Sequence, residues 1–491
     1  MITRSSGILL PISALPSPHG IGTLGAAAYG FVDFLHRAGQ RYWQLLPVGP
    51  TGCGDSPYQS FSAHAGNPYF VDLDLLVEDG LLTAEELSTA AFGDDPGDID
   101  YGKLYENRLP LLEKAACRGF DRDRAAVAVF VAENRRWLPD YALFMAAKRQ
   151  FGMRAWTDWD DEDLRLRRPE ALEKYTALLA ADIQVFTYLQ FLFFRQFSAL
   201  RAYAAERDVH FIGDLPIYVA ADSADVWAEP AQFQLDAGGL PVAVAGVPPD
   251  SFCPDGQLWG NPLYNWEQLR ADGYGWWIRR IESAARLFDV LRIDHFRGLE
   301  SYWSVPYGAK TAADGHWVQG PGMDLVGVLT AWFSDLQFIA EDLGILTPAV
   351  RKLLADSGLP GMRVLEFAFD GGDAAAYLPH NYHQNCVCYI GTHDNAPVAA
   401  WQQDAAPALV DAARAYFAIG ENEPLHLGLL RGGMASVATL FVAQMQDVLG
   451  LTARTNTPGT RDGNWRWRLL PGALTDSHAA GLRELTTRYG R

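Results

Sequence analysis

At 491 residues and 54.1 kDa, with 49% hydrophobic and 20% charged residues, the chain carries enough apolar material for a large folded core, which excludes a disordered or collagen-like polymer. Acidic residues outnumber basic ones by 59 to 40, and the resulting formal charge of −19 repels phosphate backbones, so nucleic acid is not an expected partner. The length exceeds one ordinary small domain, so two domains or one large barrel with insertions is expected.

The first apolar stretch, Gly7-Ile8-Leu9-Leu10-Pro11-Ile12, is short, broken by proline and followed by no clean small-residue cleavage site. It reads as a strand over 8–12 and not as a leader. Gly20-Ile21-Gly22-Thr23-Leu24-Gly25 matches GxGxxG ahead of a helix over 26–38. A dinucleotide site also needs an acid at the end of the second strand. That strand, 42–48, runs into Gly49-Pro50 without one, so a tight turn is the expected role.

Further strands are expected at 209–212, 290–293, 336–340, 364–369 and 387–390, and helical periodicity is clear over 181–206. Alternating strand and helix signals predict parallel pairing and the α/β class. The late strands follow each other at close to the pace of a (β/α)8 TIM barrel, whose units average roughly 30 residues. Two stretches break that pace. The first, approximately 52–203, reads as a helical insertion with a charged run at 158–170. The second, approximately 222–275, is rich in Gly, Pro and Trp and reads as a loop covering a cleft. One catalytic barrel over 1–491 carrying both insertions is therefore expected. The five cysteines (Cys53, Cys117, Cys253, Cys386 and Cys388) are scattered and form no CxxC pair, so they read as buried small hydrophobes in a reducing, cytoplasmic setting. Uninterrupted apolar runs of about 18 residues are absent, so no membrane partner is expected.

Chemistry is concentrated where apolar strands end in carboxylates. Phe211-Ile212-Gly213 runs into Asp214, Leu291-Arg292-Ile293 into Asp294, Phe338-Ile339-Ala340 into Glu341, and Tyr389-Ile390-Gly391-Thr392-His393 into Asp394. A lone acid in such a place is usually a helix cap. Four of them in a parallel barrel converge on the C-terminal face, where such enzymes keep their chemistry. Arg292 and Asp294 share a strand face, so the guanidinium is expected to hold Asp294 ionised, as a nucleophile requires. Glu341 has no adjacent cation and is expected to titrate high, as a general acid requires. Two carboxyl groups with divergent pKa values can break a glycosidic bond. Asp394 is then available for sugar hydroxyls, and His295 and His393 sit beside two of the acids. Aromatic residues in loop-like contexts (Tyr58, Tyr69, Trp227, Trp259, Tyr264 and Trp465) offer flat faces to pyranose rings.

These residues lie in segments that resemble a known family. The segments are Asp55-Ser56-Pro57-Tyr58-Gln59-Ser60-Phe61-Ser62, Gly213-Asp214-Leu215-Pro216, Trp259-Gly260-Asn261-Pro262, Arg292-Ile293-Asp294-His295-Phe296-Arg297-Gly298, Ala340-Glu341-Asp342-Leu343-Gly344, Gly391-Thr392-His393-Asp394-Asn395 and Asn456-Thr457-Pro458-Gly459-Thr460. In that order they resemble the 4-α-glucanotransferases of glycoside hydrolase family 77, the amylomaltases or disproportionating enzymes, distant relatives of the α-amylases. The resemblance implies a (β/α)8 barrel with inserted subdomains and no separate C-terminal β-domain. It implies Asp294 as nucleophile, Glu341 as general acid/base and Asp394 as transition-state stabiliser. Tyr58, Asp214, Arg292, His295 and His393 match donor-site positions. Trp259 belongs to the covering loop. Asp370, Asn464, Ser56 and Asn395 complete the implied sugar contacts.

The implied partners are α-1,4-glucans (maltooligosaccharides, amylose, glycogen or starch), with glucose as acceptor or product. No metal or organic cofactor is implied. Three departures from the family pattern stand out: Ala396-Pro397 after Asn395, Ser251 in place of an aromatic residue in the covering loop, and Thr455 in the run Arg454-Thr455-Asn456. The change at Ser251 bears on acceptor stacking and so on large-ring formation. A glucan hydrolase on the same barrel and a catalytically silent glucan-binding protein are the competing expectations.

Overall fold

The computed structural model describes residues 2–52, 54–249, 254–344, 346–369, 374–460 and 462–491. Eight parallel strands close into a barrel: β1 (Ser5–Leu9), β2 (Tyr42–Gln44), β3 (His210–Leu215), β4 (Val290–Ile293), β5 (Gln337–Ala340), β6 (Gly361–Val364), β7 (Cys386–Tyr389) and β8 (Leu440–Gln444). They pair in that order, and β8 returns to β1. Both faces of each strand are covered, which is why the strands read as near-continuous apolar runs. In β7, Val387 and Tyr389 join the barrel interior with Ile212, Val290, Ile339 and Met362, whereas Cys386 and Cys388 face the surrounding helices. Cys117 departs from the buried reading: it is exposed on the helix Leu109–Arg122. Cys53 and Cys253 lie outside the described residues.

Further expectations shift: the strand expected over 8–12 lies at Ser5–Leu9, and that over 42–48 ends at Gln44. The strand placed at 364–369 ends at Val364, and Leu365–Ala368 forms a 3-10 turn; its buried residues make an apolar run that periodicity cannot tell from a strand. The eighth strand, Leu440–Gln444, had no separate signal because its apolar run follows the apolar helix Leu425–Ala435 after only a short break.

The glycine-rich turn before the first helix is structural. Gly25 caps the helix Ala26–Arg37, and a Cβ there would strike the carboxylate of Asp72. Asp72 also accepts the Thr23 hydroxyl at 2.5 Å. A carboxylate thus occupies the place where a dinucleotide phosphate would need to sit.

Between β2 and β3 the chain runs through a series of helices ending in the long Ala180–Ala205, which packs on Ala26–Arg37 and β3. The stretch after β3, expected as a loop, contains the strands Ala243–Val247 and Gln257–Pro262. These pair antiparallel with each other and with the strands Ser301–Pro306 and His316–Gln319, which follow β4, in a four-stranded side sheet. Pro and Gly interrupt the alternation that would have marked these strands. No single helix among the described residues is long and apolar enough to cross a membrane.

Candidate active site

Period-two alternation along β4 carries Val290, Arg292 and Asp294 to one face, and the register sets Asp214 of β3 directly opposite Arg292. Arg292 Nη1 donates to Asp214 Oδ1 at 2.6 Å and to Asp294 Oδ1 at 3.0 Å. The Tyr58 hydroxyl donates to the other Asp214 oxygen at 2.7 Å. Its single proton is then used, so the Tyr58 oxygen accepts from His393 Nε2 at 2.9 Å, which makes the neutral imidazole the Nε2–H tautomer. The Tyr58 and His393 rings stack at 5.3 Å, and His393 Nε2 lies 3.3 Å from Asp394 Oδ1. One connected chain of polar groups thus runs from Asp294 through Arg292, Asp214, Tyr58 and His393 to Asp394.

Glu341 enters from β5. The backbone N–H of His295 donates to its Oε2 at 2.7 Å and that of Leu343 to its Oε1 at 2.8 Å. The first bond depends on His295 adopting left-handed φ/ψ of 51° and 46° immediately after Asp294, a conformation that costs about 1–2 kcal/mol for a residue with a Cβ. This turn brings the end of β4 against the Glu341 carboxylate. The strained backbone therefore sits where the two acids meet.

Exposure separates the carboxylates. The Asp214 side chain is sealed at 0% and bonded by Tyr58 and Arg292, whereas those of Asp294 and Asp394 open to solvent at 27% and 45%. Burial pushes Asp294 up to about 8, with Asp214, Glu341 and Asp394 adding to the rise against the opposing pull of Arg292. Glu341 is also raised, chiefly by burial and against Arg292 and its two backbone donors. The expectation that Arg292 would depress Asp294 is corrected here: burial, the largest cause, outweighs the guanidinium, whose same nitrogen gives its shorter bond to Asp214. Both carboxyls are therefore raised, chiefly by burial. Burial drives His295 down to about 3, with Arg297 adding to the fall, and lowers His393, so both imidazoles stay neutral.

The remaining expected residues divide. Trp259, on the strand Gln257–Pro262, meets the His295 ring edge-on at 4.9 Å. Ser56 Oγ accepts the Tyr58 N–H at 3.3 Å and shapes the turn beneath it. Asn395 Oδ1 accepts both the backbone N–H and the hydroxyl of Thr392, closing the turn that carries Asp394. Asn464 spends its side chain within the loop, on Thr457 and Thr460, while its neighbour Trp465 reaches Tyr58 and His393. Trp227 and Tyr264 are corrected: both are buried in the core, Trp227 against Phe144 and Trp159, and Tyr264 donating to the Ile217 carbonyl at 2.8 Å. Irregular sequence around them hid a packed aromatic layer. Asp370 and Ser251 lie outside the described residues.

Sequence reasoning assigned no role to Asn456, whose Nδ2 donates to Asp394 Oδ1 at 2.6 Å, or to Arg454, which donates to the Asp394 carbonyl at 2.7 Å. The Asn456-Thr457-Pro458-Gly459 turn was the available signal. Among the described residues no group of three or more His, Cys, Asp or Glu side chains is placed to hold a metal ion.

Comparison with known proteins agrees with this geometry. The sequence model of glycoside hydrolase family 77, described as 4-alpha-glucanotransferase, matches residues 10–474. A 4-alpha-glucanotransferase of Streptococcus pneumoniae is 47% identical, over 100% of this chain and 98% of its own. That of Thermus thermophilus is also 47% identical, over 99% and 98%. The solved amylomaltase of Streptococcus agalactiae in complex with acarbose superimposes with a TM-score of 0.97 at 42% identity, covering 99% of both chains. With a family match across nearly its whole length and relatives of this identity, the chain belongs to the 4-alpha-glucanotransferase family, glycoside hydrolase family 77.

Proposed function

We propose that this protein transfers segments of α-1,4-glucans to the 4-hydroxyl of an acceptor glucose or glucan by a retaining double displacement. Glu341, carrying the proton of the acidic pair, gives it to the glycosidic oxygen while the Asp294 carboxylate attacks the anomeric carbon and the leaving glucan departs. The resulting glycosyl-enzyme ester is opened when the Glu341 carboxylate takes the proton of an acceptor 4-hydroxyl, whose oxygen attacks the same carbon and expels Asp294. Asp394, oriented by Asn456 and His393, holds sugar hydroxyls as positive charge develops at that carbon. Tyr58, Arg292, His295 and Trp259 hold the donor, and the insertions at 52–203 and 222–275 flank and cover it. Ser56, Asn395, Asn464 and Asp370 complete the proposed sugar contacts.

The observation that carries this reading is the contact that joins the two acids: the backbone N–H of His295, the residue after Asp294, donates to the Glu341 carboxylate. A retaining pair requires carboxyl groups about 5–5.5 Å apart. The relatives' shared name, 4-alpha-glucanotransferase, and the acarbose held by the Streptococcus agalactiae amylomaltase support the same substrate class. Transfer outruns hydrolysis when the acceptor is positioned, since effective molarities reach about 10⁵–10⁸ M.

Incubation with maltotriose tests the proposal. Transfer yields glucose and a ladder of longer maltodextrins, and amylose then serves to look for cyclic products. Shortening without a ladder makes the protein a hydrolase. An unchanged product profile in Glu341→Gln makes it a glucan-binding protein with contaminating activity.

A further inference from the structure

Away from the cleft, an open surface depression of about 220 Å³ lies between the end of the helix Arg124–Glu133 and the helix Gly275–Ala285, with Arg135, Arg136 and Arg286 exposed on its rim. That is far above the roughly 10–15 Å³ that one water requires. Four guanidinium groups line it, from Arg135, Arg136, Arg279 and Arg286, against two carboxylates, Glu133 and Glu282. Arg279 is held by Glu229 at 2.6 and 2.8 Å, but among the described residues no carboxylate lies within ion-pair distance of Arg135, Arg136 or Arg286. A net positive concavity on a chain of formal charge −19 is a local reversal of the molecule's field.

One side of the depression is fixed by a hydrogen-bonded frame that holds Arg286. Asn134 is buried, and its Oδ1 accepts from Arg286 Nη1 and from the Trp137 indole, each at 3.1 Å, while its Nδ2 anchors to the Phe130 carbonyl at 2.8 Å. Trp137 in turn stacks on His64 at 5.9 Å with an interplanar angle of 16°. His64 Nδ1 bonds the Ser283 hydroxyl at 2.8 Å, and its Nε2 lies 3.5 Å from Asp225. His64 and Ser283 also line a second space, of about 70 Å³, which Tyr58 and Asp214 line as well. The two spaces therefore share a wall that lies six residues along the same segment from Tyr58.

We propose that the arginine-lined depression binds a phosphate group, carried by free phosphate or by a phosphorylated sugar, and that its occupancy is transmitted through His64 to the segment holding Tyr58. Guanidinium forks match phosphate oxygens bidentately, which a neutral glucan cannot exploit. The binding site stands independently of the transferase reading; its effect on turnover rests on it.

The test is calorimetric titration of the full-length protein with inorganic phosphate, glucose 1-phosphate, sulfate and chloride at matched ionic strength, alongside maltotriose turnover with and without phosphate. Saturable binding of phosphate or glucose 1-phosphate is expected, with chloride inert. The double variant Arg135→Gln/Arg136→Gln should weaken it by about tenfold or more, as loss of charge-assisted hydrogen bonds predicts. Turnover without phosphate should be unchanged in that variant; phosphate should change the KM for maltotriose in the wild-type chain and not in the variant, and saturable phosphate binding that leaves the wild-type KM unchanged overturns the transmission through His64. Tighter binding of glucose 1-phosphate, lost in Trp137→Ala, identifies a sugar phosphate as occupant; equal affinity identifies free phosphate. Identical heats for all four salts, or undiminished binding in the double variant, overturn the proposal. Absence of maltotriose transfer with intact phosphate binding refutes the transferase reading alone.

Discussion

Two regions of this barrel bury carboxyl groups, and they do so to different ends. At the mouth of β3, β4, β5 and β7, four acids share Arg292, Tyr58, two histidines and a strained turn. Behind β8, Asp447 is sealed at 0% exposure; its Oδ1 accepts the Val398 N–H at 2.7 Å, and its Oδ2 has no hydrogen-bond partner among the described residues. Burial pushes Asp447 up to about 7, close to the value of about 8 for Asp294. A displaced titration thus marks both places and does not by itself identify chemistry. What distinguishes the cleft is convergence of several polar groups on a carboxylate that remains partly open. Asp447 instead anchors Val398, the first residue of the helix that follows the Asp394 turn.

The comparison is broken most directly at the cleft acids. Glu341→Gln should lower kcat for maltotriose disproportionation by about 10²–10⁴-fold, the range for loss of a general acid/base, with folding intact. A variant within tenfold of wild type would remove Glu341 from the mechanism. The wild-type kcat/KM profile should lose activity on the acid side with a midpoint above the ordinary carboxylate value of about 4, because Asp294 must be ionised to attack and burial raises it. A midpoint near 4 would mean that the attacking carboxylate is not raised in the free enzyme.

Tyr58→Phe sharpens the contrast, because it cuts the polar chain while preserving the ring stack on His393. A loss of about 10–100-fold in kcat/KM is expected for a hydrogen bond to a buried charge, and steady-state kinetics will measure it. Trp259→Ala should act more gently, shifting products from transfer toward hydrolysis by about 2–10-fold as an aromatic contact is lost. An unchanged product ratio would free the side sheet of any role in excluding water.

Asp447→Asn should have the smallest effect on turnover, leaving it near wild type, while altering stability. The Asp447 carboxyl titrates higher in the folded chain than in the unfolded one, so wild-type folding loses stability as pH rises from about 4 to about 7 and loses no more above that. The Asn variant keeps an acceptor for Val398 and cannot ionise. Its stability relative to wild type should rise by roughly 1.4 kcal/mol per pH unit across that window, measured by urea unfolding at pH 5 and pH 8. Parallel curves would show that Asp447 does not ionise on unfolding in this range.

How far the chain could be read depended on the range of the interaction. The barrel was legible because strands covered on both faces must be apolar throughout, and their spacing repeats with the helices between them. The convergence of Asp214, Asp294, Glu341 and Asp394 was legible because four acids ending parallel strands of one barrel must meet at its C-terminal face, although a lone acid there is usually a helix cap. The end of β6 and the whole of β8 were not, since buried apolar runs look alike whether they turn, coil or extend. The side sheet was hidden by glycine and proline within its short strands, and Trp227 and Tyr264 were taken for loop residues because their packing partners are distant in sequence.

Local residue order by itself determined the fold class, the strand-end acids and the resemblance that joins them, because periodicity and short motifs are properties of neighbouring residues. Only the tertiary structure decided that Asp214 is sealed and bonded by Arg292 and Tyr58, and that Asp294 titrates upward despite its guanidinium. The same holds for Asn456 at Asp394 and for the arginine-lined depression beside His64. Each of these depends on charges and donors brought together across tens to hundreds of residues, and the energies of such groups follow distance and burial, which the linear chain does not contain.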